Sequence, residues 1–337
     1  MSSNRSIPWP GTGRITLALL AVVPAVMAYP WHSARSYWLI GIAAAVAILL
    51  FGWWRGLYFT TILRRRLAMM RRKPSTPGSA TDVRTAVVLR VEPLASDRDV
   101  LPLPLLARYL HCYGIRADTV RITSRTNGSG ELSTWIGLTM SAADNLAALR
   151  ARSARIPLHD TAQVTARRLA DHLREIGWEV TTVAADDVPQ VVVAESRETW
   201  RAVRQGDSDF VAAYRVSVDD ALAERLDEVR SNPALETWTA LEIADPSRSG
   251  TRYTVAAACA FRTDTPPDGA APLNGLTLQR GSQLPALMAL WPSSTQRLDG
   301  HTDAPAGLLT RVVWPNPAAG AHREQLTSAA TQAASQA

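Results

Sequence analysis

Asp207 and Asp209, separated by one serine, have the spacing that could support metal-dependent chemistry in this sequence. Hard carboxylate oxygens suit Mg²⁺ or Mn²⁺, and a D-x-D pair can hold such a cation against a nucleotide-sugar diphosphate. The pair lies in a predicted hairpin turn, residues 205–209, where Asp and Ser are favoured for backbone reasons. No nucleotide-binding strand–turn–helix element precedes it. We therefore expect an exposed turn, with a membrane-anchored glycosyltransferase-like enzyme as the alternative.

The other residues capable of chemistry are scattered along the chain. Gly11 and Gly13 precede an apolar run rather than a strand–helix turn, so they form no dinucleotide fingerprint. Lys73 is the only lysine and excludes a Walker A motif. His159 and His172 lie more than three helical turns apart and cannot share a metal ion. We expect no catalytic residue, metal, cofactor or small-molecule substrate, and hence a protein that is not an enzyme. A ligand-sensing regulatory membrane protein is a further alternative.

The positive charge of the chain is concentrated near its N-terminus. The first 73 residues contain ten of the 36 Lys and Arg residues and no Asp or Glu, which leaves 26 basic against 30 acidic residues in the remainder. A surface for nucleic acid requires clustered Lys and Arg on a folded face. Because the remainder is slightly acidic and has no such cluster, we expect no nucleic acid among the partners.

Two apolar runs near the N-terminus predict a pair of transmembrane helices, at about residues 15–33 and 37–63. Each run is long enough to cross about 30 Å of hydrocarbon as a helix. Backbone groups within lipid must pair internally, so both runs must be helical. Residues 1–14 then form a cytoplasmic N-terminus. For the first run the alternative is a cleavable signal peptide ending near residues 26–28, which would leave the second helix as a single anchor.

A cluster of basic residues directly after the second run sets the predicted orientation. The cluster consists of Arg64, Arg65, Arg66, Arg71, Arg72 and Lys73. The loop between the two runs contains only Arg35, so the positive-inside rule places both ends of the helix pair in the cytoplasm. Of the 36 basic residues 35 are Arg, a bias that looks like the codon usage of a GC-rich bacterial genome. The sequence therefore predicts a multi-pass protein of the bacterial inner membrane, with membrane lipids as partners of the basic cluster.

The whole chain predicts a membrane-anchored α+β fold, in which a two-helix transmembrane hairpin precedes a mixed α/β soluble domain. Residues 64–82 form an Arg-rich juxtamembrane linker, and residues 83–315 form the cytoplasmic α/β domain. Residues 316–337 have the composition of a disordered tail.

Within the domain, the apolar pattern and the turn residues predict individual elements. Hairpins are expected at residues 119–140, 199–218 and 237–262. Helices are expected at residues 103–113 and 159–176, the second an amphipathic helix with Val164, Leu169, Leu173 and Ile176 near one face. A last strand is expected at residues 308–314. Three tryptophans lie on predicted strands, and we expect most of them in the core and any exposed one to anchor an interface: Trp135, Trp200 and Trp238.

Two stretches of the domain resemble a known family. Residues 198–201, which include Trp200, and residues 211–216 are similar to a Trp-bearing hairpin, and residues 278–284 are similar to a late G-x-Q-L region. Together with the helix pair and its Arg-rich exit, this layout resembles the EccE family, a membrane component of the mycobacterial type VII (ESX) secretion system. The resemblance implies a non-catalytic structural subunit in a complex with EccB, EccC and EccD, of which EccC is the ATPase.

Overall fold

The chain divides into two compact units, Met1–Lys73 and Pro74–Ala337. The structure is a computed structural model, and it describes residues 16, 19–20, 22–23, 26–27, 34–51, 53–54, 57–71, 83–93, 100–153, 157–193, 195–246 and 252–314.

In the first unit, two helices are joined by a small antiparallel ribbon. Helix α1 spans Ala34–Phe51 and helix α2 spans Phe59–Arg71. Strands β1 (Trp53–Trp54) and β2 (Leu57–Tyr58) pair between them. The two helices also contact each other.

The structure differs here from the single helix predicted over residues 37–63. Helix α1 ends at Phe51, and the Arg-rich segment is helical as far as Arg71 instead of being a linker from residue 64. The sequence has glycine at positions 52 and 56. Glycine destabilises a helix interior by about 1 kcal/mol relative to alanine, which accounts for the interruption.

The predicted transmembrane pair stays a prediction. Among the residues that the structure describes, no helix has both the length and the apolarity needed to span a bilayer. Only isolated positions of the first predicted span, residues 15–33, are described. The remainder of that span lies outside the described residues, as do the predicted N-terminus 1–14 and the tail 316–337.

The second unit is built on a large sheet. Its strands are β3 (Arg84–Pro93), β6 (Thr119–Asn127), β7 (Leu132–Ser141), β8 (Trp178–Val183), β9 (Arg197–Glu198), β10 (Val203–Gln205), β11 (Asp209–Val216), β12 (Glu236–Ala244), β13 (Thr254–Thr263), β14 (Leu276–Leu278) and β15 (Thr302–Asp303). A separate hairpin is formed by β4 (His111–Cys112) and β5 (Ile115–Arg116). The order in the sheet is β8-β3-β7-β6-β12-β13-β11-β10-β9, with β14 paired to β11 and β15 to β13. Each of these pairings is antiparallel.

The helices of this unit are short, apart from one. They are α3 (Leu103–Arg108), α4 (Leu146–Arg152), α5 (Leu158–Glu175), α6 (Leu222–Ser231), α7 (Gln283–Leu290) and α8 (Leu308–Arg311). Side chains from α3, α5 and α6 form one buried cluster with the sheet. Leu287 and Leu290 of α7 belong to a second cluster with other strand residues. Both faces of the central strands are therefore covered.

The strand order contains an internal duplication that the sequence did not suggest. The first half runs along the chain as β3-α3-β6-β7-α5-β8, and its strands lie in the sheet in the order β8-β3-β7-β6. The second half runs along the chain as β11-α6-β12-β13-β14, and its strands lie in the order β14-β11-β13-β12. Each order is that of a ferredoxin-like split βαβ arrangement. The halves join through β6 and β12. The second half has no counterpart of α5, because residues 264–275 cross between β13 and β14 without a helix.

The mixed α/β character and the three predicted hairpins are confirmed. The predicted helix at residues 103–113 is wrong in its second half, since α3 ends at Arg108 and a β-hairpin follows. The predicted strand at residues 308–314 is also wrong. Leu308 begins a short helix after Gly307, whose φ is +69°, and packing of Leu308 and Trp314 in the core overrides the strand-like pattern.

Candidate functional site

Asp207 and Asp209 lie where the sequence predicts, at the turn of the β10–β11 hairpin. Gln205 pairs with Asp209 across the ladder. The side chain of Asp207 is fully exposed and lies 3.2 Å from Arg204, whereas Asp209 lies 3.8 Å from Arg262. The two carboxylates thus contact two different arginines, an arrangement suited to a solvated turn rather than to a shared cation.

Other combinations of chemical groups are equally dispersed. Within the described part of the chain, no three His, Cys, Asp or Glu residues are placed to hold a metal ion. Cys112 and Cys259 are both free thiols. Burial raises the pKa of each, and a thiol with a raised pKa is a poor nucleophile at neutral pH.

The two stretches that carry the family resemblance lie in contact with each other. The N–H of Gly281 donates to the carbonyl of Trp200 at 2.9 Å. A Cβ on Gly281 would lie 2.3 Å from the Trp200 ring, and the φ of this glycine is +66°. Only glycine fits such a close approach with a positive φ. The motif therefore has a packing role that residue spacing alone did not reveal.

Gln283, in the same motif, joins α7 to strand β11. Its side chain is completely buried. Its Oε1 accepts the N–H of Ala213 at 2.7 Å, and its Nε2 donates to the carbonyl of Ala213 at 3.4 Å. The N–H of Leu284 donates to Glu198 at 3.2 Å. Residues 278–284 thus bind helix α7 to the Trp-bearing hairpin.

The tryptophans on predicted strands are not exposed anchors. Trp135 and Trp238 are buried and stack at 5.9 Å between ring centroids. Trp238 Nε1 donates to buried Glu236 at 2.8 Å. Trp200 is half-buried and lies in a bend rather than in a strand. These rings stabilise the domain itself, so a partner-binding surface must be sought elsewhere.

A buried ion pair lies where the two halves of the sheet meet. Arg121 of β6 and Glu242 of β12 are register partners, and Arg121 Nε donates to Glu242 at 2.8 Å. Arg121 also donates to the carbonyls of Trp291 and Ser294, each at 3.0 Å. His301 donates to the second oxygen of Glu242 at 2.9 Å.

The environment of Glu242 favours its charged form. Burial acts to raise the pKa of this carboxyl, but the Arg121 charge and the hydrogen bonds from His301 and Arg121 outweigh it, so the pKa lies below its usual range. The cluster holds the segment after α7 against the sheet. The sequence shows only an arginine between Val120 and Ile122, which alternation would place on a solvated face.

The basic cluster lies partly on helix α2. Arg64 and Arg66 are exposed and Arg65 is half-buried. Leu63 and Leu67 are exposed beside them. The helix ends at Arg71, and Arg72 and Lys73 lie outside the described residues. Exposed leucines and arginines thus lie side by side on this helix.

Comparison with known proteins places the chain among named relatives. The family model described as "Putative type VII ESX secretion system translocon, EccE" matches residues 129–216. A Mycobacterium tuberculosis (strain H37Rv) protein named "ESX-3 secretion system protein EccE3" is 64% identical over 324 residues, which cover 96% of this chain and 98% of the relative. A Mycolicibacterium smegmatis protein of the same name is 51% identical over 290 residues, 86% of this chain and 90% of the relative.

The chain belongs to the EccE family. In this EccE-family chain the family match includes the Trp-bearing hairpin, residues 198–201 and 211–216, and ends at Val216, the last residue of β11. The G-x-Q-L region lies beyond it but packs on the same hairpin. Both stretches that carry the resemblance thus have a packing role in this domain.

Proposed function

We propose that this EccE-family chain is a non-catalytic structural subunit of a type VII secretion membrane complex that supports protein export across the inner membrane. The observation that carries the proposal is 64% identity over 96% of the chain to proteins named as ESX-3 secretion system components. We take ESX-3 as the system and other ESX membrane components, EccB, EccC and EccD, as the partners. The packing role of the family motifs supports a structural rather than a chemical function.

We further propose that residues 15–63 anchor the chain in the inner membrane as a multi-pass protein, with the second unit in the cytoplasm. The support comes from exposed apolar side chains, which a soluble protein rarely clusters. Several in the first unit are more than half exposed: Leu19, Leu20, Val26, Met27, Tyr37, Trp38 and Ile42. The basic cluster on and after α2 would then contact anionic lipid headgroups.

The glycosyltransferase-like alternative is tested by removing both turn carboxylates. We expect the double variant Asp207→Asn, Asp209→Asn to export substrates of the secretion system at the wild-type level. The change in unfolding free energy should be below about 1 kcal/mol, because Asp207 is fully exposed and Asp209 is partly exposed, with only a 3.8 Å contact to Arg262. Export is measured by immunoblot of culture filtrate from a deletion strain carrying the variant. Loss of export by a normally folded and assembled double variant would favour an enzyme and contradict the structural role.

A further inference from the structure

A groove of about 180 Å³ lies between the β4–β5 hairpin and helix α5. We name it the Tyr113 groove. Its lining is mainly apolar, and the lining residues are Tyr113, Ile115, Arg152, Pro157, Asp160, Thr161, Val164, Thr165 and Arg168. Neither the family motifs nor the buried ion pair contributes to it.

Tyr113 occupies a backbone conformation that a tyrosine normally avoids. It is the only non-glycine residue with a positive φ in the described part of the chain, at +55°. It forms a two-residue hairpin turn with Gly114, in which Asn-Gly is the preferred sequence. Strain of this kind persists where the rest of the structure imposes it and is frequent at ligand-binding sites. Here it presents an aromatic ring that is 62% exposed.

Val164 adds a second exposed apolar side chain to the groove. The apolar pattern predicts Val164 on the same face of its helix as Leu169 and Leu173, and this prediction is wrong, because those two leucines are buried and Val164 is exposed. The buried side of α5 is formed by Thr161, Ala162, Thr165, Ala166, Leu169 and neighbouring positions. Val164 points away from this core and is 47% exposed. An amphipathic helix with an apolar residue on its outer side, beside an exposed aromatic ring, offers a place for an apolar anchor.

The charges at the groove indicate what kind of segment would bind. The Arg168 guanidinium lies 4.2 Å from the centre of the Tyr113 ring. Arg152 also lines the groove. Burial raises the pKa of the nearby Cys112 thiol, and the positive charges of Arg108 and Arg168 act against this effect. None of the ion pairs between residues that the structure describes involves Arg152 or Arg168. Asp160 is the single acidic lining residue.

We propose that the Tyr113 groove binds an acidic polypeptide segment of another subunit, with one aliphatic or aromatic side chain seated between Tyr113 and Val164. Carboxylates on either side of that anchor pair with Arg152 and Arg168. Tyrosine and arginine are among the residue types that dominate binding energy at protein interfaces. The proposal rests on the proposed role in a membrane complex, since it locates one contact with the partners.

Site-specific photo-cross-linking in cells that express the whole secretion gene cluster tests this contact. A benzophenone amino acid is placed at Val164 and, as a matched control, at Val193, which is exposed to the same extent of 47%. We expect the Val164 probe to cross-link to a partner peptide with at least two Asp or Glu residues close to an apolar residue. We expect the Val193 probe not to cross-link to this peptide.

Two further variants separate binding from folding. Arg168→Glu should lower the cross-link yield about tenfold, because it places like charges together, while Arg167→Glu, at an exposed neighbouring position on α5, should not lower it. Tyr113→Asn should lower the yield while the melting temperature stays the same or rises, since asparagine tolerates the positive φ.

The results of the cross-linking experiment show separately whether the groove contact and the structural role in the complex hold. A cross-link to a second copy of the chain, or to a segment without carboxylates, would overturn the inference, as would equal effects of Arg167→Glu and Arg168→Glu. A chain that assembles in its complex but gives no cross-link at Val164 would overturn the inference and leave the structural role standing. A chain absent from any complex would overturn both.

Discussion

At the scale of single residues, the pair Arg121 and Glu242 shows how charge stabilises the join between the two halves of the sheet. Both side chains are almost completely buried. Removing water from two charges is unfavourable, and the loss is offset here by the ion pair, by loop carbonyls that accept from Arg121 and by the hydrogen bond from His301 to Glu242. Loss of one partner leaves the other charge buried and uncompensated.

We therefore expect Glu242→Gln to lower the free energy of unfolding by about 3–5 kcal/mol at neutral pH. The pKa of Glu242 is lowered in the folded state, so its contribution is present above the unfolded value of about 4.3 and is lost as the pH falls through the lower folded value. Urea unfolding of the two proteins across this acidic range is the measurement. The difference in unfolding free energy between the wild type and Glu242→Gln should become smaller as the pH falls.

Glu179→Gln provides the control for this comparison, because Glu179 is an exposed glutamate on the edge strand β8. It should unfold like the wild type at every pH. Equal destabilisation by the two substitutions would show that the buried pair has no special role.

Among the elements of the fold, the contact between the Trp-bearing hairpin and the start of α7 depends on Gly281. An added Cβ would meet the Trp200 ring, and the positive φ would be strained as well. We expect Gly281→Ala to destabilise the domain by about 2–4 kcal/mol, from overpacking added to backbone strain. Thermal unfolding followed by circular dichroism measures the change.

Gly206→Ala is the matched control, because Gly206 has nearly the same φ, +63°, but open space around its missing Cβ. Only the backbone strain applies there, and the expected loss is about 1 kcal/mol. If both substitutions cost the same, packing on Trp200 does not contribute and our account of the motif is wrong.

The elements also show which parts of the fold the sequence could predict. The β6–β7 and β12–β13 hairpins were predicted because alternation and turn residues act locally. The sequence does not predict helix α8, because the burial of Leu308 and Trp314 decides the conformation of this segment. The exposed position of Val164 was missed for a related reason. Alanine and threonine, which the apolar pattern underweights, form much of the buried side of α5.

At the scale of the whole molecule, the strand order lay beyond sequence reasoning because it depends on long-range pairing. β6 and β12 are joined although more than 100 residues separate Arg121 from Glu242. No sequence repeat marks the two ferredoxin-like halves. The turn position of Asp207 and Asp209, in contrast, followed from local residue preferences. The position of Asp207 and Asp209 could therefore be predicted from the sequence, because it depends on one local turn. The pairing of Arg121 with Glu242 could not, because it depends on contact between distant segments.

Gentle detergent extraction decides whether this EccE-family chain is a structural subunit of a secretion membrane complex. The cells must express the whole gene cluster, and native electrophoresis with mass spectrometry identifies what migrates with the chain. A variant lacking residues 1–73, the first compact unit, is the control and should be soluble, folded and absent from the complex. We predict that the full-length chain migrates in a large complex with EccD-like and ATPase subunits. Recovery of the full-length chain only as a lone monomer would contradict the claim.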